Sequence, residues 1–127
     1  SVNRAIADSS ALLVLLQAEP GGETVESYLP NLALSAVNFS EVVAKLAERG
    51  IPENKVLEVL NGLSLQIIPF DEEQAVRSGM LRPLSRPFGL SLGDRVCVAL
   101  GVFLNLPILT ADKAWESLPV GDIRLVR

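Results

Sequence analysis

Five short apolar runs, at residues 5–7, 32–37, 65–69, 107–110 and 123–126, alternate with stretches of helical spacing along this chain. Runs so short and so uniformly apolar suit strands buried on both faces, as in a parallel sheet. Parallel neighbours need a crossover, and the intervening helices supply it. The expectation is an α/β domain of three layers, α/β/α, with a central, mainly parallel sheet.

The helical stretches carry their own punctuation. Ser9 and Ser10 are good cap residues for a helix that Pro20-Gly21-Gly22 ends. A short second helix is expected over 23–29. Asn38 opens a long helix to Arg49, closed by Gly50. Pro52 suits the first turn of the next, whose Val56, Leu57, Leu60 and Leu63 share one face. These two helices form a protruding antiparallel hairpin. Phe70-Asp71-Glu72-Glu73 starts a helix running to Leu81, with its acids in solvent at the positive end of the dipole. Residues 82–92, with Pro83, Pro87 and Gly89, read as irregular. The span 94–104 is apolar nearly all round and is expected to be a buried central helix, and 111–117 a short one.

A chain of 127 residues supports one domain. Its apolar fraction of 49% exceeds what one small core hides, which points to a subunit interface and a homodimer. The single cysteine, Cys97, lies in an apolar run and behaves as a small buried hydrophobe, so no oxidising compartment is implied. The most apolar stretch, 96–109, falls short of the ~20 residues that span a bilayer, and a cytoplasmic protein without a membrane segment is expected. Ser1 in place of methionine implies a processed or replaced start.

The chain has no histidine. That removes imidazole-based triads, His-ligated zinc and His-driven attack by a ribose hydroxyl. The chemistry left runs on carboxylates, hydroxyls, Lys, Arg and bound ions. Asp8, Glu41, Asp94 and Asp112 each stand where an apolar stretch gives way to a helix, and strand ends in such a sheet share one edge. Taken singly, Asp8, Asp94 and Asp112 are acceptable helix caps, and Asn38 with Glu41 fits a capping box. Together they would repel one another unless a hard cation such as Mg²⁺ sat between them. The net charge of −4 disfavours binding nucleic acid by bulk charge, but bound divalent ions reverse the sign locally.

Four segments carry a resemblance: Ile6-Ala7-Asp8-Ser9-Ser10-Ala11-Leu12, Ser35-Ala36-Val37-Asn38-Phe39-Ser40-Glu41-Val42, Gly89-Leu90-Ser91-Leu92-Gly93-Asp94-Arg95, and Leu109-Thr110-Ala111-Asp112-Lys113-Ala114-Trp115. In order and spacing the chain resembles the PIN-domain ribonucleases, in particular the VapC-type toxins of bacterial toxin–antitoxin pairs. The resemblance implies that Asp8, Glu41, Asp94 and Asp112 line one pocket and bind Mg²⁺ or Mn²⁺. It further implies hydrolysis of an RNA phosphodiester to a 5′-phosphate and a 3′-hydroxyl, and neutralisation by a small antitoxin lying along the helical hairpin.

The remaining candidates each have a plain alternative. Thr110 orients a carboxylate or a water, or is an ordinary strand residue; Asn38 is a donor behind the acids, or a cap. Arg95 holds a phosphate or forms a salt bridge. Lys45, Arg82 and Arg86 are weaker phosphate candidates, Glu116 belongs in solvent, and Trp115 in the core or an interface. A phospho-receiver or a dehalogenase-type phosphatase would want a further acid beside or two after Asp8, where Ser9 and Ser10 stand. The competing functions are a non-catalytic PIN-like binding module and a structure-specific DNA nuclease.

Overall fold

The computed structural model describes residues 4–127; Ser1, expected above to mark a processed or replaced start, lies outside them. Five strands, β1 (Ala5–Ala7), β2 (Leu32–Ser35), β3 (Gln66–Ile68), β4 (Pro107–Thr110) and β5 (Asp122–Leu125), form one sheet in the order β3-β2-β1-β4-β5. Every pairing is parallel. The chain builds outward from β1 through β2 to β3, then crosses to the other side of β1 for β4 and β5. The direction of winding reverses between β1 and β4, and in such sheets a crevice opens there, beyond the carboxyl ends of the strands.

The pleat sorts the strand residues into two cores. Ala5, Ala7, Leu32, Leu34 and Leu109 pack on one face with α1 (Ser9–Leu16), α2 (Gly22–Glu26), α3 (Ala36–Glu48) and α4 (Glu53–Asn61). Ile6, Ala33 and Ile108 face the other way, toward α7 (Leu92–Leu104), Leu90 and Trp115. Two cores on one sheet make the three layers that the strand and helix alternation implies. Gly101 lets α7 lie close on β4, since a Cβ there would collide with Ile108. Against α7 packs α5 (Glu72–Met80), capped by Asp71, whose side chain accepts from Gln74 N. Among the described residues no helix is long and apolar enough to cross a membrane.

Several boundaries differ from the sequence reading, each for a local reason. The second strand ends at Ser35, whose hydroxyl accepts from Val37 N and starts α3 two residues earlier. Asn38 therefore lies inside the helix and does not open it. Asp8, not Ser9 or Ser10, caps α1, accepting from Ala11 N at 2.8 Å. Only residues 89–91 of the span 82–92 are irregular: Pro83 and Pro87 occupy first-turn positions of a short helix, α6 (Arg82–Ser85), and a 3-10 turn at Arg86–Phe88. Asp94 is not a cap. Ser91 caps α7, and Asp94 is the acid three residues on, completing the box by accepting from Ser91 N. The span after Asp112 forms only a 3-10 turn, Lys113–Trp115. Burial of α7 stops at Gly101, and Val102 and Phe103 are exposed.

Candidate functional site

Asp8 follows β1 directly, and its backbone N–H donates to Leu109 O, extending the β1–β4 pairing by one rung. Asp112 stands two residues past the end of β4, held by a bond from Ala114 N to its own carboxylate. These two acids therefore flank the crevice where the sheet changes direction. Glu41 comes from the second turn of α3, and Asp94 from the first turn of α7.

Each pair is tied together by polar groups. On one side, Ser10 Oγ donates to Asp8 at 2.7 Å and Thr110 Oγ1 donates to it at 2.6 Å. Both hydroxyls also accept from the loop that carries Asp112: Ala111 N donates to Ser10 and Asp112 N to Thr110. On the other side, the Asn38 amide donates to Glu41 Oε1 at 2.9 Å and to Gly93 O at 3.0 Å. Two acceptors fix the orientation of that amide and couple α3 to the start of α7. A Cβ at Gly93 would press on the Glu41 carboxylate, which would have to swing away.

The charges reach one another. Burial pushes the Asp8 carboxyl up to about 6, more than the bonds from Thr110, Ala11 and Ser10 bring it down, and the Asp94 charge raises it further. Burial likewise raises Asp94, against the Ser91 bonds that lower it and with Glu41 and Asp112 adding to the rise. All four acids are thus linked through Asp94. Beneath them the Cys97 thiol is held well above its ordinary range by burial and then by Asp8, Asp94 and Glu41. None of the four acids forms an ion pair with Lys or Arg among the described residues.

An array of uncompensated carboxylate oxygens fits a hard divalent ion in charge and ligand type. Among the described residues no three acidic or cysteine side chains converge on a single ion position as they stand. Glu41 and Asp112 are exposed, so their side chains have the freedom to close on one, whereas Asp8 is buried and fixed.

The other candidates scatter. Arg95 is occupied elsewhere: Nε donates to Ser78 O and Nη1 to Leu90 O, fastening α7 to the end of α5. It is therefore not a phosphate ligand in this arrangement, nor does it form the anticipated salt bridge; a helix turns about 100° per residue, so the neighbour of Asp94 faces another way. Lys45 lies one turn beyond Glu41 on α3 and is exposed, as are Arg82 and Arg86. Glu116 is in solvent and Trp115 is fully buried in the core. Sequence reasoning passed over Ser10, Ser91 and Gly93. Each left a signal: a hydroxyl two residues after an acid, a Ser-x-x-Asp box, and a glycine inside a first helical turn where it is unfavourable without a steric cause.

A model of the PIN-domain family matches residues 5–120. The chain is a PIN domain. PIN domains of the VapC kind are nucleases, and the family generally depends on divalent metal. No curated protein sequence matches significantly. Among solved structures, this PIN domain is similar to a chain of a toxin–antitoxin complex from Klebsiella pneumoniae, with a TM-score of 0.78 at 22% identity over 97% of this chain and 98% of that one. It also superposes on a chain of DNA-bound VapBC from Salmonella typhimurium, with a TM-score of 0.75 at 17% identity over 98% of both. VapBC-1 from nontypeable Haemophilus influenzae gives 0.73 at 16%, covering 96% and 97%. At such identities the likeness is one of fold.

Proposed function

We propose that this PIN domain is a metal-dependent endoribonuclease toxin held in check by a cognate antitoxin. The reading is supported by four acids whose charges reach one another through Asp94, one of them buried and none paired with a base among the described residues. Folding has gathered charges that cost stability, and a cation there would offset that cost. Asp8, Glu41, Asp94 and Asp112 would hold Mg²⁺, or Mn²⁺ in its place. When bound, such an ion would supply the Lewis acidity that hydrolysis of a phosphodiester needs. Asp8, buried, would be the fixed ligand, and the exposed Glu41 and Asp112 would be free to turn toward the ion. Asn38 holds Glu41 through its amide, and Thr110 holds Asp8 through its hydroxyl. The exposed Lys45, Arg82 and Arg86 are available to the RNA backbone.

The fold shared with toxin–antitoxin complexes supports an antitoxin as partner. A homodimer is supported by the exposed apolar residues Val76, Met80, Val102 and Phe103 on α5 and α7. The cytoplasm is the compartment that fits an RNA substrate and a single unpaired cysteine.

The test is to incubate antitoxin-free protein with end-labelled RNA, and separately with single-stranded and flapped DNA, in Mg²⁺, Mn²⁺ and EDTA. Asp94→Asn is the control, since Asn can still accept from Ser91 N and complete the box. Metal-dependent RNA cleavage leaving 5′-phosphates, absent in the variant, is the expected result. Cleavage of DNA alone, or equal cleavage by Asp94→Asn, would sink the assignment.

A further inference from the structure

Ala111 N donates to Ser10 Oγ at 3.0 Å and Asp112 N to Thr110 Oγ1 at 3.1 Å. A backbone N–H can only donate, and a hydroxyl has a single hydrogen. Each hydroxyl therefore accepts from the loop and gives its own hydrogen to Asp8. Ser10 Oγ straddles that carboxylate, 2.7 Å from one oxygen and 2.9 Å from the other, and Thr110 reaches Oδ2. The two hydroxyls lie side by side, 3.4 Å apart. Thr110 carries its hydroxyl on the same strand as the loop it serves. Ser10 does not: it stands on α1, and its bond to Ala111 N joins segments 101 positions apart.

We propose that Ser10 is a positioning residue of the carboxylate site, fixing the Asp112 loop relative to Asp8 and thereby setting metal affinity. This rests on the metal-dependent reading above. A carboxylate offers about four acceptor positions. Ala11 N, Ser10 and Thr110 claim three of them, which leaves Asp8 one position for a cation. Without the Ser10 hydroxyl, Ala111 N loses its acceptor and the loop its only side-chain tie to α1 among the described residues. Ser9, its neighbour, makes no side-chain hydrogen bond among the described residues and serves as the control.

Two measurements on wild type, Ser9→Ala, Ser10→Ala and Ser10→Thr decide it: exchange of the Ala111 amide in EDTA by NMR, and Mn²⁺ affinity by calorimetry. Ser10→Ala is expected to speed Ala111 exchange about tenfold. It is expected to weaken Mn²⁺ binding about tenfold or more. Ser10→Thr, which keeps a hydroxyl, recovers both, and Ser9→Ala moves neither. Wild-type Mn²⁺ affinity in Ser10→Ala overturns the proposal even if exchange is faster, because the bond would then be structural only. Equal losses in Ser10→Ala and Ser10→Thr also overturn it, because packing and not the hydroxyl would be responsible. If wild type binds no Mn²⁺, the metal reading itself fails, and the Ala111 amide alone then decides whether Ser10 holds the loop.

Discussion

Thr110 and Asp8 stand 102 positions apart in sequence, yet the threonine hydroxyl donates to the aspartate at 2.6 Å, with both residues buried. The bond closes the sheet's centre at its carboxyl edge and leaves Asp112 N nested on the same oxygen. Replacing Thr110 by Val keeps the shape, leaves Asp112 N without its acceptor and takes one of three donors from Asp8. The expected loss is about 1–3 kcal/mol of unfolding free energy, read from urea titration. Thr110→Ser should recover most of it. A Val variant as stable as wild type would show that the bond contributes nothing.

The pH dependence of stability follows from Asp8. Its carboxyl is near 6 in the fold against 3.8 as the reference value. An acid whose folded value is raised favours folding fully below about pH 4, and that contribution is lost as pH rises through 6. The difference amounts to about 3 kcal/mol at most, since one pKa step is worth about 1.4 kcal/mol. In EDTA, Asp8→Asn should therefore gain on wild type between pH 4 and pH 7 and melt no lower than it above pH 7. A gap between the two proteins that stays flat across that range would mean burial does not penalise the charge.

Gly93 separates the site from the fold. It has helical geometry in the first turn of α7, where Ala is better by about 1 kcal/mol. The atoms an added Cβ would meet belong to the Glu41 carboxylate, the free end of a flexible side chain. Gly93→Ala should thus melt at or slightly above the wild-type temperature while losing about tenfold or more in Mn²⁺ affinity and RNA cleavage. Full cleavage by this variant would show that the placement of Glu41 is immaterial.

Arg95 should behave as a fastener. Arg95→Gln gives up bonds to Ser78 O and Leu90 O, at an expected cost of about 1–2 kcal/mol in stability. The KM for RNA is expected to stay at the wild-type value. A raised KM with unchanged stability would return Arg95 to the substrate.

Strand and helix order was legible because apolar runs and helical spacing are local signals; of the four acids the sequence singles out, Asp8 does follow a strand directly, whereas Glu41 lies in the second turn of its helix. What could not be read locally was which polar atom answers which. Asn38 and Glu41 have the spacing of a capping box, but Ser35 starts the helix first and releases the Asn38 amide to reach Gly93 O. Arg95 sits beside Asp94 in sequence, yet the helix turns it toward Ser78. Residues 82–92 read as irregular because Pro and Gly look like breakers, whereas both prolines occupy first-turn positions. The partnership of Ser10 with Ala111 depends on β1 and β4 being neighbours, and no local pattern encodes that adjacency.

Because the acids come from four separate segments, and the strand preceding Asp112 is the next to last in the chain, no growing polypeptide short of residue 112 carries a whole site. Parallel pairing across such distances is intrinsically slow, because the loop must close before its contacts form. The four acids can therefore come together only once β4 lies beside β1, so the proposed site and the centre of the sheet form as one unit.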